Sequence, residues 1–235
     1  MSALVVIPAR LASTRLPGKP LLKDTGKYLV QHVYERALGV RRAAEVVIAT
    51  DDEAVLRAAG EFGGNAMLTS REHASGTDRV AEVARARSAE IVVNLQGDEP
   101  EFAPEDVDAL LATMESEPRV EMGTLVFPRL SPEEQETASV VKAVVDAGGW
   151  ATDFLRTPTL GAYRHLGIYA FRAPFLQRFQ GLAPSARERE RKLEQMRALD
   201  HGVRIRAVRA RKASTGIDTP EDYAAFVRRR AAAGG

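Results

Sequence analysis

Short apolar runs at residues 4–7, 46–49 and 91–95, rich in Val and Ile, alternate with longer stretches whose apolar positions recur at helical spacing. Runs of four or five such residues without period-two alternation are buried on both faces, which predicts parallel strands. Residues 28–38, 53–59, 77–86 and 104–114 gather their apolar side chains into one stripe and predict amphipathic helices between those strands. Strand, loop and helix in repetition give the βαβ rhythm of a doubly wound sheet. From residue 122 the rhythm changes. Runs at 140–145 and 165–171, with Gly148-Gly149 as turn punctuation, predict strands added to the sheet or forming a small elaborated lobe over about residues 120–185. The tail returns to the βα theme, with a strand at 203–208 and a closing helix at 220–229. The expectation is an α/β fold: an open, mostly parallel sheet with helices on both faces, as one domain over residues 1–235. There is no internal repeat.

Composition narrows the partners. A 45% hydrophobic fraction in 235 residues is enough for a buried core, so disordered and low-complexity classes are excluded. With 33 Lys+Arg against 32 Asp+Glu the net charge is only +1, too balanced for a protein that grips a nucleic-acid backbone or an anionic membrane. Any phosphate ligand must be held locally. The absence of cysteine removes disulfides, Cys-ligated metals and thiol nucleophiles, and fits a reducing compartment. The apolar stretch at residues 4–7 is cut by Pro8 and lacks a basic leader, so no export signal is expected. No stretch reaches bilayer-spanning length, and the expected location is cytoplasmic.

Candidate chemistry clusters after the first strand, where α/β sheets bind ligands. There Arg10, Arg15 and Lys19 can neutralise a polyphosphate, while Ser13 and the amides near Gly18 can donate to its oxygens. Lys19 is followed by Pro20, so this is not a Walker A loop, and the glycine triplet of a dinucleotide site is missing. A solvated basic loop is the plain alternative for any one of these cations; three together favour a phosphate cradle. The run 92–100 leads from a buried strand through Gly97 to Asp98, which places Asp98 at the same sheet edge and makes it a candidate magnesium ligand. Mg²⁺ takes one or two carboxylates plus phosphate oxygens and water, so a second acid is needed. Thr219, Pro220 and Asp222 read as a helix cap, which leaves Asp218 as that candidate. Asp51 and Asp52 either face the ligand or cap the next helix. His32, His73, His165 and His201 show no metal-pair spacing, and no Ser-His-Asp arrangement stands out.

Ile7-Pro8-Ala9-Arg10 with Ser13, Arg15 and Pro17-Gly18-Lys19-Pro20, then Ser75-Gly76-Thr77-Asp78-Arg79, Gln96-Gly97-Asp98-Glu99-Pro100, His165-Leu166-Gly167-Ile168-Tyr169, Leu193-Glu194-Gln195 and Gly216-Ile217-Asp218-Thr219-Pro220-Glu221-Asp222 together resemble the 3-deoxy-manno-octulosonate cytidylyltransferase (CMP-Kdo synthetase) family. The resemblance implies a nucleotidyltransferase-type fold, a homodimer, and transfer of CMP from CTP to 3-deoxy-D-manno-octulosonate (Kdo) with Mg²⁺, releasing pyrophosphate for lipopolysaccharide or capsule assembly. By position it implies that Arg10, Ser13, Arg15 and Lys19 hold the triphosphate. Ala9, Ser75, Gly76 and Gln96 would lie near the cytidine, and Asp98 and Asp218 would carry the metal. Arg79, Arg156, His165, Tyr169, Glu194 and Gln195 would meet the sugar. Each of these six has a plainer reading as core packing, helix surface or loop decoration.

Two departures from the family fall on the sugar side. Only residues 155–162 stand where the family carries a longer segment, so a substrate-side flap looks truncated. Ser185-Ala186-Arg187-Glu188 replaces a Ser-Pro-Leu-Glu, and Arg191 replaces an acidic residue. These changes keep open the same chemistry on a related acid such as 8-amino-Kdo, or a non-catalytic nucleotide-binding relative. A sialic acid cytidylyltransferase fits less well, because that group carries a Ser-Lys-Gly type loop in place of residues 13–19.

Overall fold

A computed structural model describes residues 2–12 and 15–233. Strand β1 (Ala3–Pro8) lies between β2 (Ala43–Thr50) and β4 (Ile91–Asn94), parallel to both, and β3 (Ala66–Leu68) extends the sheet beyond β2. Every residue of β1 is buried because both sheet faces are covered. Val5 and Ile7 pack with Val30 and Val33 of α1 (Leu29–Ala37), Val55 of α2 (Glu53–Glu61) and Leu110 of α4 (Pro104–Ser116). Leu4 and Val6 pack on the other face with Val80 and Val83 of α3 (Gly76–Arg85) and with Phe175 and Phe179 of α6 (Ala173–Gln180). The first-half pattern of buried strands and amphipathic helices is thus realised with small boundary shifts.

The second half corrects the expectation of an open, mostly parallel sheet. Beyond β4 come β8 (Tyr163–Arg172), β5 (Met122–Phe127), β9 (Ile205–Arg209), β7 (Trp150–Leu155) and β6 (Lys142–Val145). Strand β8 runs antiparallel to both β4 and β5, and β6 pairs with β7 and back onto β8, so this half closes on itself. Closure requires β8 to change partners along its length. Its last residues, Tyr169 to Arg172, pair with β4, whereas Tyr163 and Arg164 pair with β6. Between them Gly167 takes φ +47, opposite a register shift between Thr124 and Val126 of β5, and such irregularities bend a strand. Three short helices, α5 (Pro132–Glu136), α7 (Ala186–Arg191) and α8 (Gln195–Asp200), decorate this half, and α9 (Pro220–Ala233) returns across the molecule. Among the described residues no helix is long and apolar enough to cross a membrane.

Candidate active site

The parallel strands β1 and β4 end beside one another, and the loops after them enclose a cavity of about 420 Å³. Ala9, Arg10, Arg15, Lys19, Ser75, Gly76, Gln96 and Asp98 line it. The two loops approach so closely that a Cβ on Gly97 would fall 2.7 Å from the Pro8 carbonyl oxygen, which is why glycine stands there. Ser75 caps α3, accepting from the Asp78 amide, so the first turn of that helix abuts the same cavity. Arg10 donates from Nη2 to the His73 carbonyl at 3.1 Å. Ser13, the remaining triphosphate candidate, lies outside the described residues.

Lys19 gathers the two candidate metal acids. Gly18, at φ +67, turns the chain into a 3-10 turn at Lys19–Leu21. The Lys19 ammonium then donates to Asp98 Oδ2 at 2.6 Å, to the Ile217 carbonyl at 2.8 Å and to Asp218 Oδ1 at 3.3 Å. Arg15 Nη2 reaches the same Asp218 oxygen at 2.9 Å. Asp218 is held from behind: the Ile217 amide donates to the Asp98 carbonyl at 2.9 Å, and Asp222 Oδ2 accepts from the amides of Asp218 and Thr219. Thr219 Oγ1 accepts from the Asp222 amide, so the cap expected from the sequence forms and leaves the Asp218 carboxylate free for other work. Two carboxylates thus already flank one cation, which fits a hard divalent ion whose other ligands are phosphate oxygens and water. Among the described residues no group of three or more His, Asp or Glu side chains could hold a metal alone.

Sequence reasoning missed Glu99, which lies in the same turn. Its carboxyl is pushed up to about 8, by burial first and by the charge of Asp98 second, and its Oε2 has no hydrogen-bond partner. A Cβ on Gly216 would sit 3.2 Å from Glu99 Oε1, so the 216–218 segment packs directly over it. Glu99 falls inside the Gln96–Pro100 motif, but nothing in that run marks it as buried.

A second cavity, of about 700 Å³, shares Arg15 with the first and is lined also by Glu99, Arg164, His165 and Asp218. His165 Nε2 lies 3.0 Å from Thr124 Oγ1, and Thr124 gives its own proton to the Ile168 carbonyl. A hydroxyl has one proton, so the His165 Nε2 carries the hydrogen of that bond. Burial pushes the imidazole down to about 3, which keeps it neutral near pH 7. Its ring stands 5.3 Å from that of Tyr169, whose hydroxyl is pushed up by burial and by the neighbouring charge of Glu194. Glu194, at the start of α8, is raised by burial and accepts from Thr77 Oγ1; Gln195 is buried, with its Nε2 unpartnered. His165, Tyr169 and Glu194 therefore form one run of neighbours.

Of the six residues expected to meet the sugar, His165 lines the second cavity, whereas Arg79, Arg156, Tyr169, Glu194 and Gln195 line neither of the two. Arg79 is fully buried, paired with Asp51 at 2.8 Å and bonded to Thr69 Oγ1 and the Ser70 carbonyl. Asp52 caps α2, so neither acid after β2 serves the site. Arg156 donates to the carbonyls of Ala138, Arg191 and Lys192 and so ties a loop to the end of α7. The unusual Arg187 and Arg191 both meet Asp153 of β7, at 3.4 and 2.6 Å, which gives the altered helix its own anchor. Arg164, overlooked beside His165, donates to the Ser214 carbonyl and pairs with Glu134 across the second cavity.

Comparison with known proteins bears on this geometry. A family model described as cytidylyltransferase matches residues 4–205. A 3-deoxy-manno-octulosonate cytidylyltransferase of Geobacter sulfurreducens is 44% identical over 94% of this chain and 96% of its own length. One of Escherichia coli is 44% identical over 93% and 92%. Among solved structures, a CMP:2-keto-3-deoxy-manno-octonic acid synthetase complexed with CTP superposes with TM-score 0.92 at 43% identity, covering 100% of this chain and 99% of that one. A Leptospira borgpetersenii cytidylyltransferase, at 20% identity and TM-score 0.69, shares the fold.

Proposed function

The chain belongs to the 3-deoxy-manno-octulosonate cytidylyltransferase family, and we propose on that premise that it transfers CMP from CTP to the anomeric hydroxyl of Kdo. The hydroxyl oxygen forms a bond to the α-phosphorus, the bond from the α-phosphorus to the pyrophosphate oxygen breaks, and the hydroxyl proton passes to water. The observation that carries the reading is the meeting of Lys19 with Asp98 and Asp218, at 2.6 and 3.3 Å, on the rim of a cavity also lined by Arg10 and Arg15.

In this reading Arg10, Ser13, Arg15 and Lys19 hold the triphosphate, and Arg15 and Lys19 stabilise charge building on the departing pyrophosphate. Ala9, Ser75, Gly76 and Gln96 contact the cytidine. Asp98 and Asp218 hold a divalent ion, read as Mg²⁺ because the donors are hard oxygens and too few to form a cage. When bound, that ion supplies positive charge for the α-phosphate and the attacking oxygen. His165 and Tyr169 stay neutral and serve as hydrogen-bonding groups for sugar hydroxyls, together with Glu194 and Gln195. We further propose a homodimer with residues 120–185 in the contact and sugar lobe, one domain over residues 1–235, and a cytoplasmic location.

Pyrophosphate release with CTP, Mg²⁺ and Kdo, run beside 8-amino-Kdo and sialic acid, tests the assignment. Turnover on Kdo is the expected result. Preference for the amino analogue would move the acceptor but keep the chemistry, and CTP binding with no release on any of the three acids would leave a nucleotide binder.

A further inference from the structure

Four polar side chains stand in line behind the cytidine side of the site. Gln96 Nε2 donates to Asn94 Oδ1 at 3.2 Å, Asn94 Nδ2 donates to Thr77 Oγ1 at 3.2 Å, and Thr77 Oγ1 donates to Glu194 Oε2. Asn94 ends β4, Thr77 sits in the first turn of α3, and Glu194 precedes α8, so the line joins elements from both halves of the chain. The two inner members are 0% and 3% exposed, out of reach of water. Polar groups buried this deeply are costly unless bonded, and Val at either position would fill comparable space without that cost.

All three bonds point the same way, and the chemistry of each group enforces it. The Thr77 hydroxyl has one proton; once that proton goes to Glu194, the Thr77 oxygen can only accept from the Asn94 amide nitrogen. Asn94 then shows its carbonyl to Gln96, which must answer with its own nitrogen. At the near end this leaves Gln96 Oε1 for the nucleotide cavity that Gln96 lines, 3.9 Å from where a Cβ on Gly76 would lie. At the far end one oxygen of Glu194 is held by Thr77, while Oε1 is buried without a hydrogen bond, its ion-pair partner Arg197 Nη2 standing 3.9 Å away.

We propose that Asn94 and Thr77 are positioning residues that fix which end of the Gln96 amide meets the nucleotide and, through the same hydroxyl, hold Glu194 in place for the acceptor. This rests on the reading of Gln96 as a nucleotide contact and Glu194 as a sugar contact. Breaking the line at Thr77 frees the Gln96 amide to turn over and removes a donor from Glu194, 117 residues away in sequence, so both substrates feel one substitution. A shared hydroxyl makes the two sites answer together; two unconnected contacts do not.

Thr77→Val removes the hydroxyl at nearly constant volume, and Thr77→Ser keeps it. With Thr77→Val, the Kd for CTP by calorimetry should rise about fivefold and the KM for Kdo about tenfold, the loss of roughly one ordinary hydrogen bond at each end, while kcat stays within about threefold. Thr77→Ser should stay within about twofold of the unaltered protein for both constants. Unchanged constants in Thr77→Val, movement of only one of them, or a serine variant as impaired as the valine variant would each overturn the proposal. If near-ultraviolet circular dichroism shows Thr77→Val unfolded, Thr77→Ala is read in its place: it removes the same hydroxyl without adding a second methyl group, and the same rises in the CTP Kd and the Kdo KM are expected. An unaltered protein that releases no pyrophosphate overturns the function itself, whereas normal release with a normal Thr77→Val variant overturns only the line.

Discussion

Lys19 gives each of its three donors to an oxygen, two of them carboxylate, and its side chain is only 15% exposed. Removing that cation leaves Asp218 to Arg15 and takes from Asp98 its ion pair with Lys19. Lys19→Met should therefore lose roughly 2 kcal/mol of stability, and millimolar Mg²⁺ should raise the melting temperature of the variant more than that of the unaltered protein. Equal shifts would mean that lysine and metal do not share a seat. Asp98→Asn tests the same seat from the acid side: turnover should fall by at least about a hundredfold with the fold retained, and near-normal turnover would remove Asp98 from the metal assignment. His165 gives a pH signature. Its folded pKa of about 3 lies below the ordinary 6.5, so between those values the unfolded chain binds the extra proton. The contribution of His165 is therefore full above pH 6.5 and is lost as the pH falls toward 3. At pH 5 the penalty is roughly 2 kcal/mol, so urea unfolding should show His165→Asn gaining stability relative to the unaltered protein between pH 6.5 and 5. A parallel pair of curves would mean that the imidazole is not held neutral.

At the scale of elements, the start of α9 does two things at once, because Asp222 Oδ2 both caps the helix and receives the amide of Asp218. Asp222→Ala should cost about 1 kcal/mol as a lost cap and should also raise the Mg²⁺ concentration needed for half-maximal turnover, since Asp218 loses its backing. A stability loss with an unchanged Mg²⁺ requirement would separate the cap from the site. This cap was legible in the residues Thr219, Pro220 and Asp222, as were the buried runs of β1, β2 and β4, because local chemistry and periodicity decide those features. The direction of β8 was not. A run such as 165–171, buried on both faces, suits a parallel or an antiparallel neighbour equally, and the choice depends on pairings with β4, β5 and β6 from distant parts of the chain. The partners of Arg79 and Arg156 were hidden for the same reason. Nothing local tells an arginine aimed at a substrate from one that meets Asp51 or three backbone carbonyls.

On the scale of the molecule, the two halves of the site are held together by a small core apart from the two large ones. Leu16 from the basic loop, Leu29 from α1, and Ile217, Tyr223 and Phe226 from the C-terminal segment pack as one cluster. The Asp24 amide donates to the Tyr223 hydroxyl at 2.9 Å, and the His32 ring stands edge-on to Phe226 at 5.1 Å, so the cluster clamps the loop bearing Arg15 and Lys19 against the segment bearing Asp218. Strand order alone would not do this, because Asp98 follows β4 whereas Asp218 lies beyond β9, three strands away across the sheet. Phe226 is 1% exposed, and Phe226→Ala should cost about 3 kcal/mol. Because the cavity it leaves lies under the clamp, the loss should not stay in stability. At a temperature where the variant is folded, Mg²⁺-dependent CTP binding should weaken several-fold, while binding without Mg²⁺, which does not need Asp218, should change little. If calorimetry instead found both affinities intact in a destabilised variant, the convergence of loop and acid would have to be held by the polar contacts, the Lys19 and Arg15 ion pairs with the Lys19–Ile217 and Ile217–Asp98 bonds.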